Sequence, residues 1–145
     1  MRKLRIALLA ACGMIALTAA AIPAMAHHSF TAEFDVEKPV ELTGTISGMD
    51  WYNPHIYVHV DAKDENGQIV HWSLEGGSTG FWHRAGLKKD MMADGTVVKI
   101  RAYRAKDNTK GLAFLRDLTF ESGPNKGQHY ELWVGGLDEN GNPIN

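Results

Sequence analysis

Five histidines carry most of the chemical capacity of this chain: His27, His28, His55, His59 and His71. Imidazole nitrogens ligate metals and move protons near neutral pH. Three of them fall within residues 51–75, where Ile56, Val58 and Val60 alternate with His55, Tyr57, His59 and Asp61. Further on, Val70, Trp72 and Leu74 alternate with His71, Ser73 and Glu75. Successive side chains of a strand point to opposite faces, so the two runs form a hairpin with one apolar and one polar face.

The register follows from keeping the apolar rows together. A two-residue turn at Asn66 and Gly67 would set Val60 against Ser73 and mix the faces. A three-residue loop of Glu65, Asn66 and Gly67 sets Val60 against Trp72 and Val58 against Leu74, with Gly67 free to take the left-handed conformation such loops need. Asp61 then faces His71, His59 faces Ser73 and Tyr57 faces Glu75, with His59 and His71 on a diagonal. Diagonal neighbours lie about 7–8 Å apart, within reach of long side chains. A patch of two imidazoles and two carboxylates can hold a metal, an anion or a polar ligand. It also describes an ordinary wet sheet face. The pair His71 and Asp61 could do acid–base work, but no nucleophile or oxyanion motif accompanies it, so binding ranks above catalysis. The candidate ligand-binding residues are Trp51, Tyr57, Asp61, Ser73 and Glu75, since aromatic rings beside polar groups suit recognition of a small molecule, a glycan or a protein of the cell envelope.

His27 and His28 gain their interest from what precedes them. Arg2, Lys3 and Arg5 are followed by an apolar run over residues 6–22 and by Ala24, Met25 and Ala26, the pattern of a cleaved export signal. Residues 1–26 are expected to leave, and Gly13 and Pro23 argue against a retained membrane span. Leu9, Ala10, Ala11 and Cys12 resemble a lipoprotein box. Its use would place a lipid on Cys12 and leave residues 14–23 as an unexplained apolar segment. Cleavage after Ala26 exposes His27 as the first residue, whose free amine and ring can chelate one metal. His28 adds a second imidazole, and such nitrogen ligands suit copper. A frayed polar start is the competing reading. His55, His59 and His71 complete the set of candidate metal ligands.

Three of the fifteen basic residues and none of the seventeen acidic ones leave with the signal, so the net charge moves from −2 to −5. That balance argues against nucleic acid as a partner. The sole cysteine, Cys12, leaves too, so the mature chain has neither a disulfide nor a catalytic thiolate. The expected location is the periplasm or the exterior.

The remaining 119 residues suit one domain, expected over residues 27–134, with 135–145 as a flexible tail. A first strand is predicted over residues 40–46, with Val40, Leu42 and Ile46 inward and Gly44 at a bend. After the hairpin, Ser78 caps a short helix that Gly86 ends, with Phe81 and Trp82 as core plugs and His83 in solvent. Strands are predicted over residues 96–104, with Val98, Ile100 and Ala102 inward, and over 112–120, with Arg116 and Asp117 marking a bulge or an edge. Residues 128–134 could add a short last strand. The fold class is mainly β: a small OB-like five-stranded barrel with one short helix between strands 3 and 4. In that fold ligands meet the face of strands 2 and 3. A small open sandwich is the alternative.

The chain also resembles a bacterial exported family catalogued as domain of unknown function 6152. The resemblance rests on His27, His28, Ser29 and Phe30, on Gly44, and on Trp51, Asn53, Pro54 and His55, its most specific string. It continues through Trp72, Glu75, Gly86 and Gly95. What it implies is export, without a mechanism.

Overall fold

A computed structural model describes residues 30–107, 109–133, 136–137 and 143–144; His27 and His28 lie outside the described residues. The order of elements is α1 (Phe30–Glu33), β1 (Phe34–Asp50), β2 (Tyr57–Lys63), β3 (Ile69–Glu75), α2 (Thr79–Arg84), a single 3-10 turn (Lys89–Met91), β4 (Val97–Ala105), β5 (Leu112–Phe120) and β6 (His129–Glu131). The pairs Gly136–Leu137 (β7) and Pro143–Ile144 (β8) bond only to each other.

β1 is far longer than the alternation of residues 40–46 suggests, because it serves two partners. Its first half pairs with β4 and its second half with β2, the two sharing Gly44 and Thr45. A side chain at Gly44 would stand 2.6 Å from both the Asp61 carbonyl and a Val60 methyl, so only glycine lets the strands approach there. Bulges between Phe34 and Pro39 and between Ile46 and Gly48 break the period-two pattern, which hides both ends of the strand from sequence reading.

The hairpin has the register that its apolar rows require, with Val60 opposite Trp72 and Asp61 opposite His71. Gly67 has φ +77° in the three-residue loop, and the Asp64 carboxylate accepts from the Asn66 and Gln68 amides. β3 then closes the sheet by pairing in parallel with β5, through Ser73–Leu112, Leu74–Ala113 and Glu75–Phe114. The closed order β1-β2-β3-β5-β4-β1, with α2 between β3 and β4, is the OB-type order expected from the sequence.

Ile56, Val58, Val60, Leu74, Val98, Ile100, Leu115, Leu118 and Phe120 are all fully buried inside this ring. α2 adds Trp82, equally buried, while Phe81 packs half-buried at the margin. Ser78 caps α2 by accepting from the Phe81 amide, and Gly86 leaves it at φ +88°, as expected. Arg116 is the extra residue of a bulge opposite Arg101 and Ala102, and β5 is interior to the sheet rather than an edge.

A second, smaller cluster was not visible in the alternation. Phe34, Tyr103 and Ala105 are buried with Phe30, Val36, Leu112, Phe114 and Trp133 around them. Ala102 and Tyr103, adjacent in β4, are both buried because they face opposite sides of the strand, one into the main core and one into this outer cluster.

Candidate functional site

The polar face of the hairpin resolves into three separate imidazole–carboxylate pairs. His71 Nδ1 meets Asp61 Oδ1 at 2.7 Å, and Ser47 Oγ also reaches that oxygen at 3.3 Å. His59 Nε2 meets Asp50 Oδ2 at 3.1 Å, a partner supplied by β1 rather than by the hairpin. His55 Nδ1 meets Glu75 Oε1. His55, His59 and His71 are therefore not brought to one point. Among the described residues no group of three His, Cys, Asp or Glu side chains could hold a metal by itself.

Glu75 departs from the wet row on which the sequence places it, for it is only 7% exposed. The strand pairs of β3 with β5 and the start of β1 cover this end of the hairpin. Its second oxygen accepts from the Tyr57 hydroxyl at 3.0 Å. Beside it opens a cleft of about 430 Å³, walled by Phe34 and Leu112 and edged by Glu33, Lys106 and Asp107. Three carboxylates against one ammonium make the cleft acidic, so its field favours a cation. The half of His55 not engaged with Glu75 is open to solvent, its side chain being 51% exposed.

Burial first, and then the hydrogen bond and charge of Glu75, push the Tyr57 hydroxyl from 10.0 to about 12. The folded chain thus holds this proton more tightly than the unfolded one. Its contribution to stability is complete below pH 10 and is lost as pH rises through about 12. In a tyrosinate absorbance titration we expect one late ionisation near pH 12 that Tyr57→Phe abolishes. Ionisation of Tyr57 at the ordinary value would contradict the contact with Glu75.

The string Trp51, Asn53, Pro54, His55 acts as a connector. Trp51 stands edge-on to Trp82 and His83 at 5.7 and 5.5 Å between ring centres. Asn53 Oδ1 accepts from the Thr79 amide at 3.1 Å and hydroxyl at 2.9 Å, which satisfies a donor at the free start of α2. His55 then reaches Glu75. Trp51 is thus engaged with α2, apart from Asp61 and Ser73 further along the hairpin. Ser73 donates its amide to the Gly111 carbonyl at 2.7 Å, so its backbone belongs to the closure of the ring. Gly111 itself has φ +77° and lies against the His71 carbonyl, a position no larger residue could take without moving the strands.

One polar feature escaped the sequence reading. Asp117, 4% exposed, takes Arg101 Nε on both of its oxygens at 2.9 Å, and this bond and charge hold the guanidinium further in its charged form. Glu41 is opposite Arg101 on β1 and Glu131 opposite Asp117 on β6, so the Arg101–Asp117 pair sits in a row that is otherwise acidic. Adjacent charges in a bulged strand were its only signal.

Among the described residues no helix is long and apolar enough to cross a membrane. Together these features define a small, mainly β chain with OB-type strand order and an acidic cleft where the end of β3 meets α1, the end of β4 and the start of β5. Residues 15–114 match the model of the Family of unknown function (DUF6152), and the chain belongs to that family. No curated protein and no solved structure matches it.

Proposed function

We propose that this is an exported binding protein, cut after Ala26, which holds copper through the amine and ring of His27 and the ring of His28, with His55 as a further ligand. The observation that carries the reading is the bond from His55 Nδ1 to the buried Glu75. Metal-binding histidines nearly always place their second ring nitrogen on a carboxylate or carbonyl, which fixes the ring and raises its basicity. His71 and His59 have similar partners, but they lie away from the cleft that Ala32, Glu33 and Phe34 border, a few residues downstream of the processed start. Copper supplies strong affinity for such nitrogen sets; the chain's part is to present deprotonated nitrogens and an acidic surround.

A second reading is favoured by the apolar side of the same cleft. Phe34 and Leu112 beside Glu75 suit a small organic ligand with a polar end, bound without metal. Protein recovered from the cell envelope separates the two. The copper reading expects an intact mass that begins at His27 and about one copper per chain. A lipid-modified chain beginning at Cys12 would contradict the processing, and a correctly cut chain that takes up no copper would leave the organic ligand as the function.

A further inference from the structure

We infer that the outer face of β1, β4, β5 and β6 carries a binding site of its own, one that takes a small zwitterion of the α-amino-acid class. A cavity of about 190 Å³ opens there, lined by Glu41, Lys99, Arg101, Asp117, Thr119 and His129. It shares no residue with the cleft beside Glu75. Two cross-strand rows build it. Glu41, Arg101 and Asp117 lie opposite one another on β1, β4 and β5. Two residues along, Lys99, Thr119 and His129 do so on β4, β5 and β6. Residues two apart in a strand share a face, which is how four strands come to line one cavity.

A buried carboxylate sets the donors. Both bonds that Asp117 accepts from Arg101, at 2.9 Å, come from Nε, which leaves the two terminal amino groups of the guanidinium to other acceptors. Such a planar fork receives a carboxylate in two parallel bonds. His129 Nδ1 meets Thr119 Oγ1 at 2.8 Å, so the ring keeps Nε2 for a further partner. Lys99 Nζ stands 3.8 Å from Glu41 Oε2, too far for a hydrogen bond. Both side chains are more than half exposed, so this ion pair contributes little and exchanges readily for other partners.

Charge and volume select the ligand. The two cations of the lining, Lys99 and Arg101, balance its two carboxylates, Glu41 and Asp117. Just outside it Arg116, 3.8 Å from Asp117, balances Glu131. A simple anion or cation therefore gains no net field, whereas a molecule carrying both charges is met at both ends. Glu41 and Arg101 are direct cross-strand partners, with Cβ atoms about 4.5–5.5 Å apart, which suits the neighbouring ammonium and carboxylate of an α-amino acid. The carboxylate docks on the Arg101 fork and the ammonium on Glu41. The volume equals about six waters at about 30 Å³ each. That lies below the range of about 300–1,000 Å³ for drug-sized ligands, so the molecule is small.

Three matched probes test this on the whole protein, followed through its backbone amide shifts: L-alanine, propionate, which lacks the amine, and ethylamine, which lacks the carboxylate. L-Alanine should move the amides of Lys99, Arg101, Thr119 and His129. It should bind about tenfold or more tightly than either fragment, the scale of one charge-assisted bond. Glu41→Gln, at a position whose side chain is 60% exposed, should bring L-alanine down to the affinity of propionate and leave propionate unchanged. Arg101→Lys keeps a cation beside Asp117 but loses the fork, and should weaken L-alanine and propionate together. Propionate that binds the natural chain as tightly as L-alanine overturns the zwitterion. No movement of these amides by any of the three, or movement confined to Glu75 and Leu112, overturns the site.

Discussion

Trp72→Ala is expected to cost about 3–5 kcal/mol of stability, while His71→Ala, one residue away, stays within about 0.5 kcal/mol. Trp72 is 8% exposed, lies opposite the fully buried Val60 and belongs to the main core, so truncation leaves a cavity the size of an indole on the core face of β3. Arg104 stands over the ring, its guanidinium carbon 5.3 Å from the centre, and would lose that contact as well. His71 points the other way, its side chain 82% exposed. Its hydrogen bond to the partly exposed Asp61 is open to solvent on the His71 side and contributes little. A domain of this size has about 5–15 kcal/mol in total, so the tryptophan variant should shift the urea midpoint far down with an unchanged slope, and the histidine variant should barely move it. Equal losses would mean that the polar pair carries as much as a core ring.

That contrast is legible in the sequence, and the reason is local. The hairpin alternates cleanly, its apolar rows select the three-residue loop, and Gly67 can take the left-handed conformation that loop needs. Ser78 and Gly86 likewise mark the two ends of α2 by chemistry that acts within a few residues. What stayed hidden depends on partners far along the chain. Glu75 reads as a wet residue because nothing near it in sequence shows that β5 and the start of β1 cover it. Tyr103 falls on the side of β4 opposite the inward Val98, Ile100 and Ala102; its burial comes from Phe30 before β1 and Trp133 after β6, which pack over the outside of the sheet. The candidate metal ligands show the same limit. Alternation places His55, His59 and His71 on one face, but Asp50 reaches His59 from another strand, and the three imidazoles end on three carboxylates. Of the five candidate ligand-binding residues, Glu75 lines the cleft and Tyr57 donates to it. Trp51 is taken up by α2, while Asp61 pairs with His71 and Ser73 helps to close the ring.

The site reading therefore narrows from a hairpin face to one end of it. Glu75 is held there by Tyr57 and His55, the His55 side chain is half exposed, and His27, the first residue of the proposed mature chain, precedes α1 by three positions. A chelate formed by one residue needs little further ordering for its second bond, because amine and ring are already joined. Ligands on separate strands, such as His59 and His71, have no such advantage. Copper should accordingly prefer the terminus.

The most direct measurement is a copper(II) titration of two forms of the protein, one beginning at His27 with a free amine and one identical but with that amine acetylated. Acetylation removes one nitrogen ligand and leaves every side chain in place. If the terminus is the site, the acetylated form should bind about a hundredfold more weakly, the scale on which joined donors gain over separate ones. Equal affinity of the two forms would remove the terminus from the site and contradict the account.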